Sequence, residues 1–461
     1  MSQEKKEFAL QVARRLRKAG FEAYFAGGCV RDMLLGISPE DFDIATSARP
    51  KEVMALFEKT IAVGKEFGSV RVVEPEGKFQ VEVTTFRREA GYSDGRRPDK
   101  IETATAAEDV KRRDFTINGM LLDPETNQVL DYVGGKEDLK SRLIRAVGEP
   151  QERFEEDRLR LIRAVRFASR FDFEIEKKTY QAIKQMAPKV KSVSFERIRD
   201  ELKRMLVSPS RRRALELLSE LGLLREILPE VEAMKGVPQS AEHHPEGDVW
   251  VHTLLSMEKL RSPSWELALA TLLHDVGKPS AFAASGGESF IYHEKIGAEM
   301  TSEICRRLRT SAKEQQRVVW LVKRHLVLKD AERMRKSTWK RLLASGNFDE
   351  LLELHRVDAL SSTLDLATYD KALQIREELS QEELEPPPLI TGHDLISLGL
   401  EPGPIFKEIL SQVREEQLEG RIKTKNEAMK LVKKILKDVG SRRSAAPPKK
   451  DKKPQDHRRH T

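Results

Sequence analysis

The strongest constraint on what this 461-residue chain can fold into is residues 27–46, GGCVRDMLLGISPEDFDIAT. A glycine pair leads through Arg31-Asp32 into a short apolar helix, and Asp41 and Asp43 follow, one residue apart, in a segment of strand composition. Side chains alternate across a strand, so the spacing predicts both aspartates on one face and Phe42 and Ile44 turned into a core. Two carboxylates so placed can hold a hard divalent cation such as Mg2+, which prefers carboxylate and phosphate oxygens. Paired metals of this kind activate a hydroxyl and stabilise a leaving pyrophosphate. Gly27 and Gly28 suit the other half of such a site. Without a Cβ the backbone can approach a triphosphate, and the N-terminus of the next helix favours negative charge. Arg31 falls in the first turn of that helix.

The chain is long enough for two to four domains. It holds no run of about 20 apolar residues, and its charged N-terminus MSQEKKEF lacks a signal-peptide core, so a cytoplasmic protein with no membrane partner is expected. Cys29 and Cys305 are too few for a disulfide framework. The net charge of +7 hints at nucleic acid, but residues 441–461 hold eight Lys or Arg against two Asp, leaving the rest nearly neutral. RNA binding by the folded part has to come from local clusters.

Along the chain, Phe8, Val12 and Leu16 recur at helical spacing, and Phe21, Ala23 and Phe25 alternate as a strand into the glycine pair. Pro50 opens a helix, and residues 69–73 and 79–86 read as a hairpin. Its second strand puts Glu82 forward as a third carboxylate or as an ordinary exposed strand residue. Residues 87–102, RREAGYSDGRRPDKIE, read as a polar mobile loop, and RRDFTIN at 112–118 follows, where Arg113 offers a fork of donors to phosphate or ribose. Beyond residue 135 helical patterns dominate. In EDRLRLIRAVRFASR (156–170), read as one helix, Leu161, Ile162, Val165 and Ala168, with Phe154 just upstream, fall on a buried arc. Asp157, Arg160, Arg163 and Arg166 wind up the other side, with Leu159 and Phe167 as exceptions among them. Arg211 to Arg213 form a small basic cluster, and residues 238–248 read as a linker. Behind it come His252, His274-Asp275 and Asp358, with His293 and His325 between. Imidazoles and carboxylates in this order can hold a divalent transition metal. His393-Asp394 is a decoy, opening a helix with Asp394 as its cap.

The order GG, RD, LLG, DFDIAT resembles the nucleotidyltransferase signature of the DNA polymerase β-like superfamily, specifically class II tRNA nucleotidyltransferases (CCA-adding enzymes) and bacterial poly(A) polymerases. RRDFTIN and the EDxxR start of the arginine-rich helix resemble two further motifs of these enzymes, and the H…HD…D set resembles the HD metal-dependent phosphohydrolases. The resemblance implies an α+β fold, with a mixed-sheet head (1–145), an all-α neck (146–237), an HD domain (238–365), a helical tail (366–438) and a disordered basic end (439–461). In the tail, Lys423, Lys425, Lys430, Lys433 and Lys434 offer RNA contacts.

The implied activity is template-independent addition of CCA to tRNA from CTP and ATP. Asp41 and Asp43 hold Mg2+ in that reading, while Gly28, Arg31 and Arg113 bind the nucleotide, with Arg163 and Arg166 in support. Asp157 and Arg160 read the base. Cytosine and adenine each present an amino donor beside a ring-nitrogen acceptor, whereas uracil and guanine reverse the order. A carboxylate that only accepts, beside a guanidinium that only donates, therefore suits C and A. The alternatives are a partial enzyme adding only A or only CC, a poly(A) polymerase, and an HD phosphohydrolase using the head merely to bind RNA.

Overall fold

The structure is a computed structural model and describes residues 2–63, 68–90, 100–240, 247–378 and 386–444, with His244 and Leu384. The head carries β1 (Ala23–Ala26), β2 (Asp43–Thr46), β3 (Thr60–Val63), β4 (Ser69–Val73) and β5 (Gln80–Thr85). A separate antiparallel pair follows, β6 (Arg87–Ala90) and β7 (Lys100–Thr103), and then β8 (Met120–Leu122) and β9 (Val129–Asp131). Seven of these form one mixed sheet in the order β3-β4-β5-β2-β1-β8-β9, where β2 and β5 run parallel and the other neighbours antiparallel. Alternating valines build it: Val70, Val72, Val81 and Val83 are all buried. The hairpin of β4 and β5 is the one expected. The segment read as a loop is strand at both ends, in β6 and β7, and its middle, 91–99, lies outside the described residues.

Phe42 and Ile44 point into the core, Phe42 against Phe25 with ring centroids 5.4 Å apart. Asp41, however, is not on the strand with Asp43. The β1–β2 ladder ends at the pair Ala26 and Asp43, because Gly27 at φ +74° turns the chain out of β1 and into helix α2 (Gly28–Leu34). With no partner beyond Ala26, Asp41 sits in the preceding loop, its side chain 79% exposed and paired with Lys5 at 3.2 Å.

The neck follows the last head helix, α5 (Gly135–Lys140), with α6 (Pro150–Glu156), α7 (Arg160–Phe171), α8 (Lys177–Met186), α9 (Phe195–Leu206) and α10 (Arg211–Glu220). The arginine-rich segment is two helices rather than one. Asp157 is extended, at φ −144° and ψ 103°, and accepts the Leu159 N–H at 3.1 Å to start α7. The buried arc is as expected, but Leu159 and Phe167 are buried as well. The basic cluster is spent on structure. Arg211 donates to four backbone carbonyls, those of Leu206, Val207, Met257 and Leu260, while Arg212 pairs with Glu216 and Glu258 and Arg213 with Glu174.

The chain divides into two compact units, Met1–His325 with Glu353–Asp365, and Leu326–Leu352 with Leu366–Thr461. The first therefore holds head, neck and the histidine-rich helices together. In the second, Ile390, Leu395, Ile409, Val413, Ala428, Val432 and Ile435 form a small core. There Thr391 is the cap of its helix and Asp394 the third residue of a capping box, a structural role that accounts for the decoy. Lys425 is paired with Asp394. The last helix runs to Ser444, past the expected boundary at 439, and residues 445–461 lie outside the described residues. Among the described residues no helix is long and apolar enough to cross a membrane.

Candidate active site

A cavity of about 500 Å³ opens between head and neck, and eight arginines and three aspartates line it, together with Gly27, Gly28, Asn118 and Phe167. All the expected nucleotide-site residues meet here: Gly28, Arg31, Asp43, Arg113, Asp157, Arg160, Arg163 and Arg166. Asp41 does not; it lines an adjoining cavity with Glu40, Arg170 and Arg204.

Asp43 opens β2 and keeps exposed surface where it lines the cavity. Desolvation raises its carboxyl to about 6, the charges of Glu82 and Asp41 add to this, and Arg113 opposes it. Glu82 is its direct partner across the parallel β2–β5 pair, which brings the candidate third carboxylate alongside. A carboxylate held back from ionising by desolvation and by its carboxylate neighbours is relieved by a cation. The all-oxygen donors suit a hard ion such as Mg2+.

The arginines are arranged around Phe167. The Arg166 guanidinium lies 4.1 Å from its ring centroid, and those of Arg31 and Arg163 lie 5.2 Å away. Arg31 is anchored by Asp32 and Asn118, yet burial still lowers its pKa. Burial also lowers Arg166 to about 10, against the pull of Glu201. Arg163 pairs with Asp114 at 2.7 Å. Burial would raise the Asp114 carboxyl, but Arg163 and the Asn118 amide hold it far below the usual range. Arg113 pairs with Asp109 at 3.0 Å, and its buried Nε has no hydrogen-bond partner. Crowded, partly desolvated cations with a spare donor make a site for a polyanion. A Cβ on Gly27 would come within 3.1 Å of Arg113 Nη1, so the glycine leaves that guanidinium its room.

At the neck end, Asp157 is clamped by Arg197 of α9, at 3.1 Å to Oδ1 and 2.7 Å to Oδ2. Arg160 is fixed by Glu156 at 2.8 Å and by the Arg153 and Arg112 carbonyls at 2.9 Å. Both line the cavity and keep capacity, a lone pair on the carboxylate and an N–H on the guanidinium. Sequence reading missed Asp114, Asn118, Arg197, Glu201 and Arg204. Asp114 and Asn118 lie four residues apart inside RRDFTIN, a signal that was there to use. Arg197, Glu201 and Arg204 share one face of α9, but nothing in the sequence pairs that face with α7.

The second expected site also assembles. His252, His274, Asp275 and Asp358 are buried together, with His252 Nε2 3.1 Å from Asp358 Oδ1 and 3.3 Å from His274 Nε2. His293 and His325 join the same cluster through Asp275. Burial, with the charge of His274, pushes His325 down to about 3, leaving it neutral near pH 7. Gly277 makes the packing feasible, since a Cβ there would lie 2.2 Å from the His293 carbonyl oxygen.

Comparison with known proteins agrees with the head and neck geometry. Family models match residues 23–145 (Poly A polymerase head domain), 172–235 (probable RNA and SrmB-binding site of polymerase A) and 288–432 (tRNA nucleotidyltransferase domain 2, putative). A CCA-adding enzyme of Streptococcus suis is 34% identical over 433 residues, covering 93% of this chain and 97% of its own. One from Lactobacillus helveticus is 47% identical over 220 residues, 48% of this chain and 54% of its own. Among solved structures, the Bacillus stearothermophilus CCA-adding enzyme in complex with CTP superposes with a TM-score of 0.70 at 30% identity, over 94% of this chain and 98% of that one. Likeness over nearly the whole length, on top of an arginine-lined cavity that gathers Asp43 and the Asp157–Arg160 pair, means that this chain belongs to the CCA-adding enzymes, a family of tRNA nucleotidyltransferases.

Proposed function

We propose that the chain adds C, C and A to tRNA 3′ ends from CTP and ATP and releases pyrophosphate. The observation that carries this is the convergence in one cavity of Asp43, the phosphate-suited arginines and the Asp157–Arg160 pair. The triphosphate lies against Arg31, Arg113, Arg163 and Arg166, near the start of α2 at Gly28, where backbone N–H groups face it. Asp43, with Glu82 across the strand pair and Asp41 in the loop just before it, would hold Mg2+, which when bound would lower the pKa of the attacking hydroxyl and neutralise charge on the leaving group. The 3′ oxygen of the tRNA bonds to the α-phosphorus as the bond to pyrophosphate breaks. Asp157 accepts from the amino group of C or A and Arg160 donates to the neighbouring ring nitrogen, so U and G meet opposed groups.

Supplying tRNA that lacks CCA, or lacks only the final A, with CTP and ATP separately and together tests this directly. Full CCA ends from both nucleotides are expected. Products stopping at CC, or growing only from a CC end, make it a partial enzyme, and long A tails make it a poly(A) polymerase.

The carboxyl at about 6 sets a pH dependence. Below pH 6 a proton must leave Asp43 before the cation binds, so the Mg2+ concentration for half-maximal rate should rise about tenfold in all from pH 7 to 5, most of it below pH 6. Above pH 7 it should be flat. A half-maximal concentration unchanged between pH 7 and 5 would remove Asp43 as a ligand.

A second reading rests on the histidine-aspartate cluster: a metal-dependent phosphohydrolase acting on RNA-end phosphates, such as a 2′,3′-cyclic phosphate. Its nitrogen and oxygen donors fit a transition metal. Phosphate release from cyclic and linear substrates with nickel, manganese or cobalt tests it.

A further inference from the structure

We propose that the cavity adjoining the nucleotide site grips the end of the RNA strand being extended, with Arg170 and Arg204 on the phosphodiester that precedes its last nucleoside. The proposal rests on the reading of the first cavity as the nucleotide site, and gives the second substrate its own residues.

A break in a ladder of charges carries the argument. Helices α7 and α9 pack together, and opposite charges meet at successive steps of the seam, Asp157 with Arg197 and then Arg166 with Glu201. One turn further along each helix stand Arg170 and Arg204. An acid at either position would continue the pattern. Two guanidinium groups leave positive charge without a counterpart instead. Burial lowers the Arg166 pKa to about 10, and the charges of Arg163 and Arg204 push the same way. Arg170 is 41% exposed, and its carboxylate partner, Asp32, is 3.8 Å away and already held by Arg31 at 2.6 Å. Arg204 is exposed and, among the described residues, has no hydrogen bond or ion pair. An anion between these cations removes their repulsion and takes up their idle donors.

The place suits the strand end. The cavity, of about 540 Å³, shares Arg166, Arg170 and Arg204 with the nucleotide site. Asp41 lines this cavity and Asp43 lines the other, so the stretch that carries both carboxylates borders the two spaces. In an in-line displacement the attacking oxygen stands opposite the leaving pyrophosphate, so the strand needs an approach of its own beside the triphosphate. Ser208 and Ser210 line the same cavity, in the turn from α9 to α10, with their hydroxyl oxygens 2.9 Å apart. The bond between them uses one of their two protons, and the other is free for a phosphate oxygen.

Among the described residues the lining has no aromatic ring, Asn or Gln. Contacts to phosphate position a strand without reading its sequence. That is what successive additions of C, C and A require, because the last base of the strand changes at each step while its backbone does not.

The test is Arg204→Gln in the full chain, with Arg204→Lys beside it. Binding of fluorescent tRNA lacking CCA is titrated without nucleotide, and KM is measured for tRNA and for CTP. Arg204→Gln should weaken tRNA binding about tenfold or more, as expected for a charged hydrogen bond, with Arg204→Lys restoring part of it and the KM for CTP changing less than twofold. A second tRNA carries a neutral methylphosphonate in place of the phosphodiester before its last nucleoside. The wild type should lose about as much on this RNA, and Arg204→Gln should lose less than twofold further. Losses that multiply would place the arginine on a different phosphate and overturn the proposal. A raised KM for CTP with tRNA binding unchanged would assign Arg204 to the triphosphate, and no change in either would leave it a cation suited only to the last turn of its helix; both overturn the site. The binding titration needs no turnover, so a wild type that added no nucleotide would sink the proposed activity while this grip was still read.

Discussion

Asp43→Asn is expected to lower nucleotide addition by about 10³-fold or more, because a lost ligand forfeits several kcal/mol of charge stabilisation in the transition state. The same substitution should not cost thermal stability. The carboxyl is raised to about 6 in the folded chain, above its unfolded value, so at pH 7 the ionised group opposes folding and a neutral amide of the same shape removes that opposition. Side chains that hold the fold behave otherwise: Phe42 and Ile44, its neighbours, are buried and would leave cavities. The pair of measurements, rate and melting temperature at pH 7, is therefore diagnostic. A variant that melts at or above the wild type and still adds nucleotides at a near-normal rate would take Asp43 out of the chemistry.

How much of this was legible beforehand depended on the range of the interaction. DFDIAT disclosed its own core and surface faces because alternation is local, and Phe42, Asp43 and Ile44 stand as the pattern requires. Where β2 starts was not legible, because that depends on Gly27 ending the neighbouring strand, and Asp41 was misplaced as a result. The break at Asp157 was hidden for a related reason. Nothing in EDRLRLIR forbids a continuous helix, and the clamp that holds Asp157 extended comes from Arg197, 40 residues away. Leu159 and Phe167 looked misplaced among arginines only while that face was assumed to meet solvent; it meets a cavity wall, where an aromatic ring can carry three guanidinium groups. The histidine cluster was legible in its H…HD…D order, but that His293 and His325 meet it at Asp275 is a tertiary contact of which spacing carries no trace.

Asp157→Ala should change which nucleotide is chosen more than how well a triphosphate is held. The carboxylate lies at the neck end of the cavity, already accepting from Arg197 and the Leu159 N–H. What it has left is acceptor capacity, which an amino group of C or A can use and the carbonyl oxygen of U or G cannot. Each opposed buried contact costs roughly 1–3 kcal/mol, so losing one should relax discrimination against UTP and GTP by about ten- to a hundredfold, read as the ratio of kcat/KM values. Arg160, fixed independently by Glu156 and two carbonyls, keeps the other contact and should hold back complete loss of choice. Arg197→Met gives the control. It removes the clamp and keeps the carboxylate, so Asp157 gains freedom without losing its chemistry, and an intermediate relaxation is expected. Equal loss of activity with all four nucleotides in Asp157→Ala would instead make the residue a brace between α7 and α9, and base choice would have to come from elsewhere in the cavity.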